Sequence, residues 1–125
     1  SHPNLIKNNF SQLIKNLQQP NLHDAVKRNS ICLLQYVSIP KKYQGAIMNI
    51  CFDYVASPTE AVAIKAFSLT ILGNLANDYP EIIPEIKLLI EDQIKDQTAA
   101  FKSRATKLLK NISVSTQKFN LLKQL

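Results

Sequence analysis

A ten-residue segment recurs three times at a nearly constant interval, and that interval limits the folds open to this chain. The copies occupy 25–34, 63–72 and 100–109, offset by 38 and then 37 positions. Each opens with Ala, a large apolar residue and Lys: Val26-Lys27, Ile64-Lys65 and Phe101-Lys102 fill the second and third slots. The sixth slot is small (Ser30, Ser68, Ala105), and the ninth and tenth are Leu33-Leu34, Ile71-Leu72 and Leu108-Leu109. A pattern kept in phase at this period marks one supersecondary unit copied and stacked. It argues against an ordinary six- or seven-helix globule whose segments resemble each other by chance.

The unit is helical. Two glycines and six prolines in 125 residues leave few turn signals, which suits helices joined by short loops. With 46% hydrophobic and 19% charged residues the chain is composed like a folded domain. Leu5, Ile6, Phe10, Leu13, Ile14 and Leu17 follow helical spacing and predict a first helix ending before Pro20. A second helix from about Leu22 carries Val26, Ser30, Leu33, Leu34 and Val37 as its inner stripe and stops at Ile39-Pro40. A third covers about 42–56. Ser57-Pro58-Thr59-Glu60 reads as a cap opening a fourth helix to Asn77, with Glu60 closing a capping box. Gly73 inside that helix costs about 1 kcal/mol against alanine, so close approach of another helix is the expected reason for it. Helices from about Tyr79 to Gln93 and Thr98 to Asn111 follow, then a short one from Thr116 carrying Phe119, Leu122 and Leu125. The expected fold is all-α: three stacked helix pairs, about 4–38, 42–78 and 80–112, closed by a capping helix at about 116–125.

These residues resemble HEAT repeats, an alpha-alpha superhelix family. The match is Val26-Lys27 with Ser30, Leu33 and Leu34; Ile64-Lys65 with Ser68, Ile71 and Leu72; and Phe101-Lys102 with Ala105, Leu108 and Leu109. The resemblance covers about 4–112. It implies that the second helix of each pair lines a concave, partner-facing surface. It also implies a polar ladder between units, with an aspartate ahead of the basic residue; Asp24 stands in that position for Lys27, while Glu60 and Asp96 lie further ahead of Lys65 and Lys102.

Charge is concentrated at one end. Residues 1–94 hold eight basic and eight acidic side chains, so 95–125, with seven basic residues against Asp96, carry the whole net charge of +6. Lys27, Lys65 and Lys102 share a repeat slot, and Lys107 and Lys110 follow in the basic third. These five lysines are the candidate interaction surface. They serve either as solvated flanks, as a face for an acidic protein or peptide, or as phosphate contacts for nucleic acid. Protein or peptide binding is the leading expectation, and nucleic-acid binding by the basic C-terminal third is the alternative. The chain has no Trp, and its aromatics are scattered rather than arrayed for base stacking.

Chemistry has little to work with. Gly45 and Gly73 cannot make a glycine-rich phosphate loop. His23 and Asp24 are adjacent, so on a helix they diverge and form no dyad; an exposed or capping role for His23 is expected. Cys32 and Cys51 sit in apolar helical contexts, without CxxC or a histidine partner, and are expected as free buried thiols rather than a disulfide. A non-enzymatic scaffold without cofactor or metal is expected. No apolar run reaches membrane-spanning length, and with reduced cysteines the expected setting is cytoplasmic.

Overall fold

A computed structural model describes the backbone of residues 9–93, 95 and 97–123, with side chains through 111. Its α-helices are α1 (Phe10–Leu17), α2 (Asp24–Leu34), α3 (Lys41–Ala56), α4 (Val62–Ala76), α5 (Ile83–Gln93) and α6 (Ala99–Lys123). The described residues contain no strand. The second helices lie side by side in the order α2, α4, α6, and α1 packs along α3. The predicted start of the first helix at Leu5 lies outside the described residues.

α4 is the centre of the stack. It packs against α2, α3, α5 and α6, and nine of its residues are buried, from Ile64 to Ala76. A helix apolar around most of its circumference needs neighbours on every side, and this one has them. α3 contributes Ile47, Ile50, Cys51 and Val55 to the same core, and α5 contributes Ile83, Ile86 and Ile90. Phe10 stacks on Tyr43 with ring centroids 5.6 Å apart, joining α1 to α3. Both cysteines are free thiols; Cys51 is buried as expected, whereas Cys32 is only half-buried.

Gly73 has the role its position implied. A Cβ built there would run into the side chain of Leu108, so α6 lies directly over α4 at this point. His23 caps α2, its Nδ1 accepting from the Ala25 amide at 3.1 Å.

Four expectations are corrected. α4 begins at Val62 rather than Pro58, and Ser57–Glu60 is a turn in which Ser57 Oγ accepts from the Thr59 amide. Glu60 is therefore not a capping-box residue; it is left free to reach another helix. The inner stripe of α2 is Ile31 and Leu34, while Val26 and Leu33 are exposed. α2 is the first second-helix of the stack, and the described residues leave that side of it open. α5 is preceded by a short 3-10 turn, Pro80–Ile82, which places Pro84 in the first helical turn where its missing N–H costs little. Finally, α6 runs unbroken from Ala99 to Lys123, so no separate capping helix begins at 116. Ile112 to Thr116 contain neither Gly nor Pro, and β-branched residues and serines cost only a few tenths of a kcal/mol each (up to about 0.7) in a helix, too little to stop one. The covering role expected of Phe119, Leu122 and Leu125 falls outside the described side chains.

Candidate functional site

The five candidate lysines do not form one surface. Lys27 Nζ donates to Glu60 Oε2 at 3.0 Å and lies 5.2 Å from the centre of the Tyr54 ring. Lys65 is 3% exposed, and its Nζ donates to Gln93 Oε1 at 2.7 Å. Burial lowers its pKa from the ordinary 10.5, with the charge of Glu60 acting the other way. Gln93 in turn donates from Nε2 to the Val55 carbonyl at 2.6 Å. The third slot thus points toward the following helix pair, where Glu60 and Gln93 receive the first two ammonium groups. Asp24, the residue the resemblance placed in this ladder, is exposed in the first turn of α2, and Glu60 takes that part. Lys102, in the last copy, is exposed, as are Lys107 and Lys110. The repeated lysine serves inter-unit packing in two of its three occurrences.

The second-helix face does hold a groove, of about 740 Å³. Gln35 and Tyr36 at the end of α2, Thr70, Gly73, Asn74 and Asn77 along α4, and Ser103, Arg104, Lys107, Leu108 and Asn111 on α6 line it, with Ala76 and Ile83. Lys102 and Lys110 are not part of the lining. Lys102 is two residues from Arg104, which on a helix turns it about 200° away.

Arg104 ties the groove together. Its Nη1 donates to Gln35 Oε1 at 2.9 Å and to Thr70 Oγ1 at 3.1 Å, and its guanidinium sits 5.1 Å from the centre of the Phe67 ring. One side chain of α6 therefore reaches both other second helices. Asn74 Nδ2 adds a bond to the Gln35 carbonyl at 3.3 Å. Sequence spacing gave no signal for Arg104, because its repeat counterparts are Asn29 and Phe67 and Gln35 is 69 positions away.

The lining contains two cations and no carboxylate, and its rim carries Tyr36, which is 78% exposed. Asn74, Asn77 and Asn111 supply amides that donate and accept. Such a surface suits a segment with acidic side chains and unpaired backbone groups. Among the described residues no group of three or more His, Cys, Asp or Glu is placed to hold a metal ion, and no helix is long and apolar enough to cross a membrane.

Helix pairs stacked with their second helices in a row define an α-solenoid. A family model for the HEAT repeat domain matches residues 1–112, and the chain belongs to that family. Neither curated proteins nor solved structures give a significant match. As a HEAT-repeat protein it is a helical-repeat scaffold of a kind that commonly mediates protein interactions.

Proposed function

We propose that this chain is a non-enzymatic scaffold that binds an acidic protein or peptide segment along the groove of the α2–α4–α6 face. The observation that carries this reading is the composition of the groove, where Arg104 and Lys107 are joined by Tyr36 and three asparagines without any carboxylate. Arg104 is already hydrogen-bonded, so it acts as a fixed positive wall. Lys107, exposed at the edge, is the free charge for a partner carboxylate, and Lys110 one turn on extends the basic edge. Tyr36 offers a flat apolar face with a hydroxyl, a combination favoured where proteins meet. The engagement of Lys27 and Lys65 within the fold takes two lysines out of any phosphate-tracking row, which favours protein over nucleic acid. With reduced cysteines, a cytoplasmic setting is consistent with this reading.

The test is a titration by fluorescence anisotropy with a labelled Asp/Glu-rich peptide, a Lys-rich control peptide, and single- and double-stranded nucleic acid. Binding of the acidic peptide alone, weakened by salt and by Lys107→Glu, supports the reading. Binding restricted to nucleic acid, or acidic-peptide binding indifferent to Lys107→Glu, would sink it.

A further inference from the structure

Arg104 has hydrogen-bonding capacity left over, and all of it lies on one edge. Both of its hydrogen bonds come from Nη1, to Gln35 Oε1 and Thr70 Oγ1, while the guanidinium lies against the Phe67 ring. Nη1 carries two hydrogens, so these bonds use it up. Nε and Nη2 make no hydrogen bond among the described residues. Together they form the side-on fork of a guanidinium, two N–H donors spaced for a pair of oxygens on one carboxylate or phosphate. The fork is held before any partner arrives. Tethered at the end of α2 and by α4, it has little freedom left to lose on binding.

A second cation stands one turn away. Lys107 is exposed, with no hydrogen bond or ion pair among the described residues. It follows Arg104 by three positions, which puts the two Cβ atoms about 5–6 Å apart on the helix surface. Both side chains line the groove, where no carboxylate neutralises them.

The number of oxygens then decides between anions. A carboxylate has two, and the fork takes both, so Lys107 receives nothing from the same residue. A phosphomonoester has three terminal oxygens and a charge of about −1.5 to −2 at pH 7. Two of its oxygens meet the fork, the third turns to Lys107, and its charge matches the two cations. A nucleic-acid phosphodiester, with two free oxygens and one charge, fits no better than a carboxylate. We infer that the segment bound in the groove carries a phosphorylated serine or threonine, held by Arg104 and Lys107 together. This rests on the groove being a peptide site and adds what the peptide carries. Free phosphate would fill only a corner of about 740 Å³ and leave Tyr36, Asn74 and Asn77 unused. The short ester of serine or threonine keeps the segment's backbone down among those amides, whereas a phosphotyrosine ring would lift it away.

Fluorescence anisotropy with three labelled peptides tests the inference: one Asp/Glu-rich sequence with a central serine, glutamate or phosphoserine. The phosphoserine form is expected to bind roughly tenfold tighter than the glutamate form, the gain from one added charge-assisted hydrogen bond. Lys107→Met, at an exposed position, brings the two forms within about threefold of each other, because the fork alone accepts either anion. Arg104→Lys keeps the charge but loses the fork, and weakens the phosphoserine form about tenfold. Arg104 also braces the groove, so the ratio between peptides in Lys107→Met is the deciding measurement. Equal binding of the phosphoserine and glutamate forms overturns the inference and leaves the acidic-peptide reading standing; no binding of any peptide overturns both. A preference that survives Lys107→Met also overturns it. So does a single-stranded oligonucleotide that binds as tightly as the phosphoserine peptide, or inorganic phosphate that displaces that peptide at equal concentration.

Discussion

The ammonium of Lys65 is 2.7 Å from the side-chain oxygen of Gln93, and the amide nitrogen of the same Gln93 holds the Val55 carbonyl at the end of α3. A buried cation of α4 thus fixes the end of α5 onto the helix before it. Replacing Lys65 by Glu puts a carboxylate in that place, near the charge of Glu60. The expected loss is about 3 kcal/mol or more, the range for a buried charge left without its partner. Lys65→Met keeps the length and the apolar stem and is expected to cost no more than about 1 kcal/mol. Urea unfolding of the two variants checks this. A Lys65→Glu protein as stable as wild type would mean that this side chain is not held in the interior.

Arg104 and Lys107 lie three residues apart on one groove wall but differ in what they do for the fold. Arg104→Ala removes two hydrogen bonds from a guanidinium and its contact with the Phe67 ring, an expected loss of about 2 kcal/mol. Lys107→Glu changes an exposed side chain and is expected to shift stability by no more than about 0.5 kcal/mol. Denaturant midpoints for both, beside the peptide titration, separate a wall residue from a contact residue. Equal stability losses would contradict the assignment.

Gly73 and Leu108 form a coupled pair. Alanine in place of Gly73 gains about 1 kcal/mol in helix propensity, but its methyl displaces the end of the Leu108 side chain. Leu108 is half-buried at the groove and can rotate, so the net effect of Gly73→Ala is expected near zero. In a Leu108→Ala background the methyl meets open space and the gain of about 1 kcal/mol should appear in full. A double-mutant cycle measures the difference directly. Additive effects would show that Leu108 does not rest on Gly73.

What the sequence disclosed follows from what repeats. The apolar and small slots (Ile64, Phe101, Ser68, Ala105) recur because each helix meets the same neighbour at the same height, so they declared the stack. The lysine slot recurs as well, but its partners do not. Glu60 is 33 positions from Lys27, and Gln93 is 28 from Lys65, so the ladder leaves no periodic trace. Val26 and Leu33 were legible as stacking residues and misleading as buried ones, because a pattern records which face packs without recording whether a neighbour stands beside it. Arg104 hydrogen-bonds across to Gln35 and Thr70, neither of which shares its repeat slot, so the spacing carries no trace of those bonds.

The alkaline limb of stability is set by three groups of opposite sign. Burial pushes the Cys51 thiol from 9.0 to about 12, with the Ser68 hydroxyl beside it acting the other way. Burial, followed by the charges of Glu60, Cys51 and Asp53, raises the Tyr54 phenol from 10.0 to about 12. In both cases the folded state holds its proton more tightly than the unfolded state. Their contribution is complete below pH 9 and is lost as pH rises toward 12, by about 1.4 kcal/mol per pH unit for each titrating group. Lys65 runs the other way. Burial lowers its pKa, so the folded state releases that proton first, and stability gains with pH until the unfolded chain also loses it near 10.5. Cys51→Val removes a falling contribution and should flatten the decline above pH 9. Lys65→Met removes the rising one and should steepen it. Urea unfolding at intervals from pH 8 to about 11 is expected to rank the declines as Lys65→Met steepest, wild type between, and Cys51→Val shallowest. Any other order would mean that the burial of Cys51 or of Lys65 does not govern how tightly the folded chain holds its protons.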